Sequence, residues 1–329
     1  MMKHPIAQLA AAALAVAGWS AQAQTSQVTV FGLIDLSIGQ TKAPGGVRNR
    51  DVDSGKMTTS HFGLRGSEDL GGGLSAVFRL EHFLRADTGE SGRFTGDTFW
   101  SRNATAGLSH KDYGTVTLGR NTTPLFIATV NFNPFGDSFG LSPAVRHYFT
   151  SGTATGDSGW NDSIVYSSQN LGGLRFGLAA TTDTNGSGGR NVGANVGYAA
   201  GPLAAAFVYQ NVEKDGATAV QDTRTWQLSG SYALSAAKLF AQVGKVDNKT
   251  TENSFDIVGF GASVPLGAGS VLAYYSRIKP ETGNQRKTFS VGYDHFLSKR
   301  TDLYAVAMSD KIATLSSGHG YSFGIRHRF

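Results

Sequence analysis

The 329-residue chain contains no cysteine, so neither a disulfide framework nor a thiolate metal site can hold it together. Proline is scarce, with 8 residues against 43 glycines, and this ratio indicates many tight turns rather than a disordered tract. Only 16% of the residues are charged, and they are spread along the chain. Basic clusters with interleaved aromatic residues are missing, which argues against a nucleic-acid partner.

Long hydrophobic runs are also few. After residue 23, charged residues, Gly or Asn interrupt every apolar segment well before the roughly 20 residues of a spanning helix are reached. The one long run, 6–19, follows Lys3 and precedes small residues that end at Ala23, an order that predicts a cleaved signal peptide. The expected domains are therefore a signal peptide, 1–23, and a single mature domain, 24–329.

Short segments of alternating apolar and polar residues fill the mature chain. The connections between these segments alternate between very short and long, which is the connectivity of an up-and-down antiparallel β-barrel that crosses a membrane. A soluble β-sandwich would connect its strands irregularly. Sixteen strands close without edges and leave an aqueous channel. The predicted strands are 28–38, 58–68, 74–84, 99–110, 115–120, 160–168, 174–182, 191–199, 203–212, 223–233, 238–246, 255–264, 270–278, 286–296, 301–308 and 319–329.

The last predicted strand shows the alternation most clearly. Large or aromatic side chains occupy one face, while small residues, Arg326 and Arg328 occupy the other. This strand resembles the closing strand of outer-membrane barrels, whose terminal aromatic residue lies in the interfacial girdle and is read by the barrel-insertion machinery. We therefore expect Phe329 to be the membrane-insertion signal.

The segment 121–159 breaks this alternation and is the longest irregular stretch of the chain. It is rich in Asn, Pro, Gly and Phe. A long loop that carries many aromatic side chains needs a wall on which to pack them. Its phenylalanines are Phe126, Phe132, Phe135, Phe139 and Phe149.

Several segments resemble, in order, the trimeric general porins of Gram-negative outer membranes, closest to the beta-proteobacterial branch. The matching segments are VTVFG at 28–32, SHFGLRGSEDLG at 60–71, YGTVTLGR at 113–120, NDSIVY at 161–166, LSKRT at 297–301 and GIRHRF at 324–329. The resemblance implies an outer-membrane homotrimer that contacts lipid and lipopolysaccharide and passes ions and small hydrophilic solutes. It implies no cofactor and no catalysis.

The resemblance also implies that the third loop, 121–159, folds into the barrel as a constriction, and that the loop 85–98 latches onto a neighbouring subunit. In these porins the constriction sets acidic loop residues against a ladder of basic residues on the barrel wall. Arg102 matches a ladder position. Arg65 and Arg79 lie nearby on inward faces of their predicted strands.

The ladder is incomplete in this chain. His61 and Gly159-Trp160 stand where the family pattern commonly has Arg, and Arg146 in the loop is a candidate replacement. The loop has only Asp137 and Asp157 as acids, so we expect a mild anion preference. A lumenal His near its ordinary pKa of about 6.5 would make the selectivity pH-dependent.

Other residues have a simpler interpretation beside the functional one. Arg79 and Glu81 form either part of the constriction or a plain lumenal ion pair, since charged interiors are general in porins. Arg120 has the parity of the outward residues, and a charge facing lipid is costly, so a subunit interface is the better assignment. No His spacing suggests a metal site. A solute-specific channel is the main alternative function, and a barrel enzyme or an adhesin is less favoured.

Overall fold

The structure, a computed structural model, describes residues 26–154, 158–182, 190–213 and 222–329. The expected signal peptide and Asp157 lie outside these residues. The strands are β1 (Ser26–Lys42), β2 (Arg48–Ser54), β3 (His61–Gly71), β4 (Leu74–Arg85), β5 (Glu90–Ser91), β6 (Asn103–His110), β7 (Gly114–Thr122), β8 (Gly159–Ser167), β9 (Leu174–Thr181), β10 (Val192–Ala200), β11 (Leu203–Val212), β12 (Thr223–Ala233), β13 (Lys238–Asn248), β14 (Asn253–Leu266), β15 (Gly269–Pro280), β16 (Arg286–Phe296), β17 (Thr301–Ile312) and β18 (Gly318–Arg328).

The strands close into a ring because β18 pairs antiparallel with β1. Phe329 extends this seam, since its N–H donates to the Gly32 carbonyl and its carbonyl accepts from the Gly32 N–H, both at 3.1 Å. Strands β2 and β3 lie end to end beside β1 and count as one barrel strand. The short β5 pairs only with the end of β4. The predicted antiparallel barrel of sixteen strands is confirmed.

No strand is predicted in 39–57, between the first two predicted strands, and this prediction is wrong. In the structure β1 continues to Lys42 and forms a hairpin with β2, and then residues 55–60 leave the sheet and turn into the barrel. The charged sequence of β2 has no apolar face, because a hairpin that extends beyond the membrane has water on both sides. Hydrophobic alternation therefore could not reveal it.

The fourth predicted strand begins too early. The structure starts β6 at Asn103, whereas Phe99 and Trp100 fold onto rings of the outer face. Phe99 stacks on His82 with ring centroids 3.9 Å apart, and Trp100 lies edge-on to Phe62 at 6.3 Å. Phe99 and Trp100 continue the alternation of β6 in the sequence, but they pack on the side chains of neighbouring strands and form no strand pairing.

The strands carry apolar residues outside and polar residues inside. In β12, outward Leu228 is 49% exposed whereas inward Gln227 is fully buried. This is the reverse of a soluble sheet and is the pattern of a barrel whose outer band faces lipid. Short turns lie at one end, the turn end, and long loops at the other, the loop end. In bacterial outer-membrane barrels the turn end is periplasmic.

The segment 123–158 is here called loop 3, and its described residues, 123–154 and 158, lie inside the barrel. The loop contains helix α1 (Pro124–Asn131) and helix α2 (Pro143–Phe149), each capped by a hydroxyl side chain and started by proline. In the described residues, neither helix has the length and apolar character to cross a membrane.

Two apolar clusters fix loop 3 to the inner faces of β11–β17, here called the packed wall. The first joins Leu125 and Tyr148 of the loop to wall residues such as Ile257. The second joins Phe135 of the loop to Tyr274 of the wall. Met57, from the inward turn 55–60, is buried in the second cluster. The prediction that the loop folds into the lumen is confirmed, and the inward turn is an addition that the sequence did not predict.

Candidate constriction site

Loop 3 leaves a cleft of about 410 Å³ on the side away from the packed wall. The inner faces of β1, β3, β4, β6 and β7 are here called the open wall. On this side the cleft is lined by Arg79 of β4 and by Arg102, which directly precedes β6. On the loop side it is lined by Asn131 and Asp137. A solute that passes between loop and wall therefore meets guanidinium groups on one side and, on the other, one carboxylate and one amide among apolar side chains.

Glu81 joins the basic residues of the open wall. Its Oε1 accepts a hydrogen bond from Arg79 Nη2 at 2.6 Å, and its Oε2 accepts from Arg102 Nη1 at 2.8 Å and from Asn103 Nδ2. Asn103 is its register partner on β6. The Glu81 side chain is fully buried. Its negative charge therefore orients the two arginines and faces them rather than the passing solute.

Arg102 and Asp137 face each other across the cleft. Arg102 Nη2 lies 3.6 Å from Asp137 Oδ2, a weaker contact than the one Arg102 makes with Glu81. Within the described residues, Asp137 is the one acid of loop 3. Among the described residues, the acidic side of the cleft therefore consists of one carboxylate.

Two aromatic rings of the open wall each lie beneath two arginines. The Cζ atoms of Arg93 and Arg102 are 4.9 and 5.9 Å from the centre of the Phe83 ring. Those of Arg65 and Arg79 are 4.9 and 5.4 Å from the centre of the Phe31 ring. Cation–π contacts of this kind orient a guanidinium without neutralising it. We name these four arginines the basic track: Arg93 and Arg102 lie nearer the loop end, and Arg79 and Arg65, which are opposite each other in register, lie nearer the turn end.

Sequence reasoning missed Arg93 and both rings. Arg93 lies in a loop, where parity gives no direction. Phe31 and Phe83 carried a usable signal, because their register partners Gly63 and His61 place them on the inward face, where an apolar residue is unusual. An inward aromatic residue beside inward arginines can be recognised from sequence once the strand register is known.

His61 lies at the loop end of the open wall, opposite Phe83 in register. It is buried, and its Nδ1 lies 2.9 Å from the Thr59 carbonyl oxygen. The inward turn 55–60 thus covers the position where the family pattern commonly has Arg. The pH dependence of selectivity proposed for His61 stays a prediction.

Arg146 does not face the cleft. Its Nη2 donates to Asp310 Oδ2 at 3.0 Å on the packed wall, and its Nη1 donates to the Gly140 carbonyl at 3.2 Å. Asp310 also accepts from Arg286 Nε at 2.8 Å. Arg146 therefore anchors loop 3 and does not replace the missing ladder arginine.

His147 anchors the same helix. Its Nε2 lies 2.7 Å from Thr288 Oγ1, and its Nδ1 lies 2.8 Å from Ser276 Oγ. Burial, with the nearby Arg286 charge, lowers the pKa of His147 to about 3. The ring is therefore neutral at pH 7 and can donate from one nitrogen while it accepts at the other.

Arg120 keeps its outward parity, opposite Ala104 of β6. Its Nε donates to the Ser101 carbonyl at 2.5 Å, and its Nη1 donates to Asn161 Oδ1 at 2.6 Å. On the same outer side, His82 is buried beneath Phe99. Polar groups thus lie on the outer face between β4 and β8, where lipid would be an unfavourable neighbour.

Comparison with known proteins agrees with this architecture. The family model described as Gram-negative porin matches residues 10–312. An outer membrane porin protein of Bordetella pertussis is 29% identical over 98% of this chain and 99% of its own length. Outer membrane porin protein 32 of Delftia acidovorans is 32% identical over the same shares. A solved anion-selective porin from Comamonas acidovorans superimposes with a TM-score of 0.80 at 28% identity, over 92% of this chain and 100% of that one.

Proposed function

We propose how solutes are selected by this chain, which belongs to the Gram-negative porin family and forms a diffusion channel in the outer membrane. The channel passes ions and small hydrophilic solutes passively. Family and fold are those of channels, and the proposal includes no catalytic step. The selection is assigned to the cleft between loop 3 and the open wall.

The proposed selectivity is a mild preference for anions. The observation that carries it is the unequal exposure of the charges in the cleft: the Arg79 side chain is 46% exposed, whereas that of Glu81, its partner, is fully buried. A permeating ion therefore comes close to the guanidinium and stays screened from the carboxylate. The cleft presents two guanidinium groups against the one carboxylate of Asp137, and an excess of one sign raises the local concentration of the opposite ion. The solved structure named as an anion-selective porin supports this assignment.

The test is the reversal potential of the purified protein in a planar bilayer under a potassium chloride gradient. We expect conductance steps and a potential whose sign reports chloride permeation above that of potassium. A cation-selective potential would contradict the anion preference. Complete absence of steps would contradict the channel function itself.

The polar outer face between β4 and β8 supports assembly as a homotrimer. His82 and Arg120 lie there, toward the loop end of β4 and β7, and a cationic group on the lipid face of a barrel is unfavourable, by about 2–4 kcal/mol at the midplane and less toward the interfaces. We assign this face to the subunit interface and the remaining apolar band to lipid, with lipopolysaccharide in the outer leaflet. The loop 85–98 as a latch and Phe329 as the insertion signal complete the proposal. A monomeric mass in mild detergent would contradict the trimer.

A further inference from the structure

We propose that Arg65, Arg79 and Phe31 form a saturable binding site for a phosphate group on the turn-end side of the constriction. This inference deepens the proposed function, because it rests on an anion-conducting channel. It assigns one class of solute to one place on the open wall. We call the three residues the phosphate subsite.

The first argument is the pairing of the two arginines. Arg65 on β3 and Arg79 on β4 lie directly opposite each other in register, and both face the lumen. Like charges directly opposite across a strand pair destabilise the sheet. Arg79 is compensated by Glu81, whereas no carboxylate of the described residues lies within ion-pair distance of Arg65. The pair therefore carries an excess positive charge that a bound anion would offset.

The second argument is that the two guanidinium groups are already oriented. Both lie over the single ring of Phe31, at 4.9 and 5.4 Å from its centre. The ring has space because its neighbour is Gly63, where an added Cβ would lie 3.0 Å from Phe31 Cζ and closer still to the Leu80 carbonyl oxygen. Groups fixed in this way lose little conformational freedom when a ligand binds.

The third argument is the chemistry of the space beside the arginines. A cleft of about 360 Å³ opens there, and four hydroxyl side chains from four different strands line it together with both guanidinium groups. A guanidinium presents planar, paired N–H donors that match two oxygens of a phosphate group. Hydroxyl groups can donate to the remaining oxygens or accept from a protonated one. The hydroxyl residues are Thr29, Ser67, Thr105 and Thr117.

The position gives the site a role in permeation. Arg79 lies two residues along β4 from Glu81, about 7 Å toward the turn end at the usual strand rise. A solute that leaves the gap between Arg102 and Asp137 therefore meets the phosphate subsite next. Binding there would give phosphate-bearing solutes a saturable component of transport beside unselective diffusion.

The experiment is titration of the chloride conductance of single channels with inorganic phosphate at neutral pH. In the unmodified protein we expect a partial, saturable block. Arg65→Gln should raise the half-blocking concentration about tenfold, which corresponds to about 1.4 kcal/mol. Arg65→Lys, which keeps the charge and loses the planar fork, should fall between the two.

The matched control is Arg175→Gln, which also removes one inward-facing arginine but lies on β9, away from the subsite. We expect no change in the half-blocking concentration for this variant. Equal weakening by both substitutions would overturn the site in favour of a diffuse lumenal field. Phe31→Leu gives a second route if Arg65→Gln does not assemble: it should also weaken the block, and an unchanged block would count against the subsite.

The outcomes separate the two proposals. A channel that prefers chloride over potassium but shows no saturable phosphate block would retain the proposed function and reject the subsite. A channel without anion preference would reject the proposed function first, whatever phosphate does.

Discussion

The open wall and the packed wall of the lumen both carry arginine, and the two walls use it differently. On the packed wall, Arg146 and Arg286 share the carboxylate of Asp310, whose side chain is only 1% exposed. On the open wall, Arg79 is tied to a buried Glu81 but keeps nearly half of its own surface exposed. A buried pair orders the protein, whereas an exposed guanidinium acts on solutes. A count of lumenal charges alone therefore cannot predict selectivity.

The strongest test of this difference removes the shared carboxylate of the packed wall. Asp310→Asn leaves Arg146 and Arg286 without a compensating charge, and breaking a buried ion pair costs about 3 kcal/mol or more. We expect a clearly lower Tm, measured by circular dichroism in detergent, together with noisier single-channel currents as loop 3 loosens.

Asp137→Asn is the matched control, because it neutralises the acid of loop 3 that faces the cleft. Asp137 is partly exposed and makes one contact at 3.6 Å, so its removal should change stability by less than about 0.5 kcal/mol. Similar losses of Tm in the two variants would remove the distinction between the walls.

The sequence predicted the barrel well because closure in a membrane imposes a repeated constraint on every strand. Alternation and connection length identified the ring and the segment that enters it, and parity placed Arg65 and Arg79 in the lumen. The same logic failed outside the membrane, where β2 has water on both faces. It also failed for Arg146, since a residue on a loop has no parity and its partner Asp310 is 164 positions away.

Acid should weaken the packed wall through His147. The groups that face this ring are Thr288, Ser276, Arg286 and Asp310, with Arg146 beside it. The pKa of His147 is about 3 when the loop is docked and about 6.5 when the ring is in water. A lowered pKa means that the docked form disfavours the proton. The contribution of the neutral His147 ring to the stability of the docked loop is therefore fully present above about pH 6.5. It is lost as the pH falls toward 3, by about 2 kcal/mol at pH 5.

The measurement is Tm and the rate of closures in single-channel records between pH 7.5 and about pH 4.5, a window set by the ordinary pKa of His. His147→Gln keeps a neutral donor and acceptor and cannot take up a proton in this range. The variant should lose part of the acid sensitivity of the unmodified protein. Identical pH profiles for the two proteins would show that the buried ring does not control loop docking.

The smallest expected effect is on ion selectivity, and it is tested by substituting one arginine from each wall. Arg102→Gln removes a guanidinium that lines the cleft, whereas Arg146→Gln removes one that faces away from it. A unit charge about 8 Å from an ion in water contributes about 0.5 kcal/mol, of opposite sign for chloride and potassium, so the ratio of their permeabilities changes by about 1 kcal/mol. Arg102→Gln should therefore lower the ratio of chloride to potassium permeability by about fivefold, read from the reversal potential. Arg146→Gln removes the same formal charge from the lumen and should leave that ratio nearly unchanged, because the Arg146 side chain does not line the cleft. If both variants shifted the potential equally, net lumenal charge rather than position in the cleft would set the selectivity, and the contrast between the two walls would not hold.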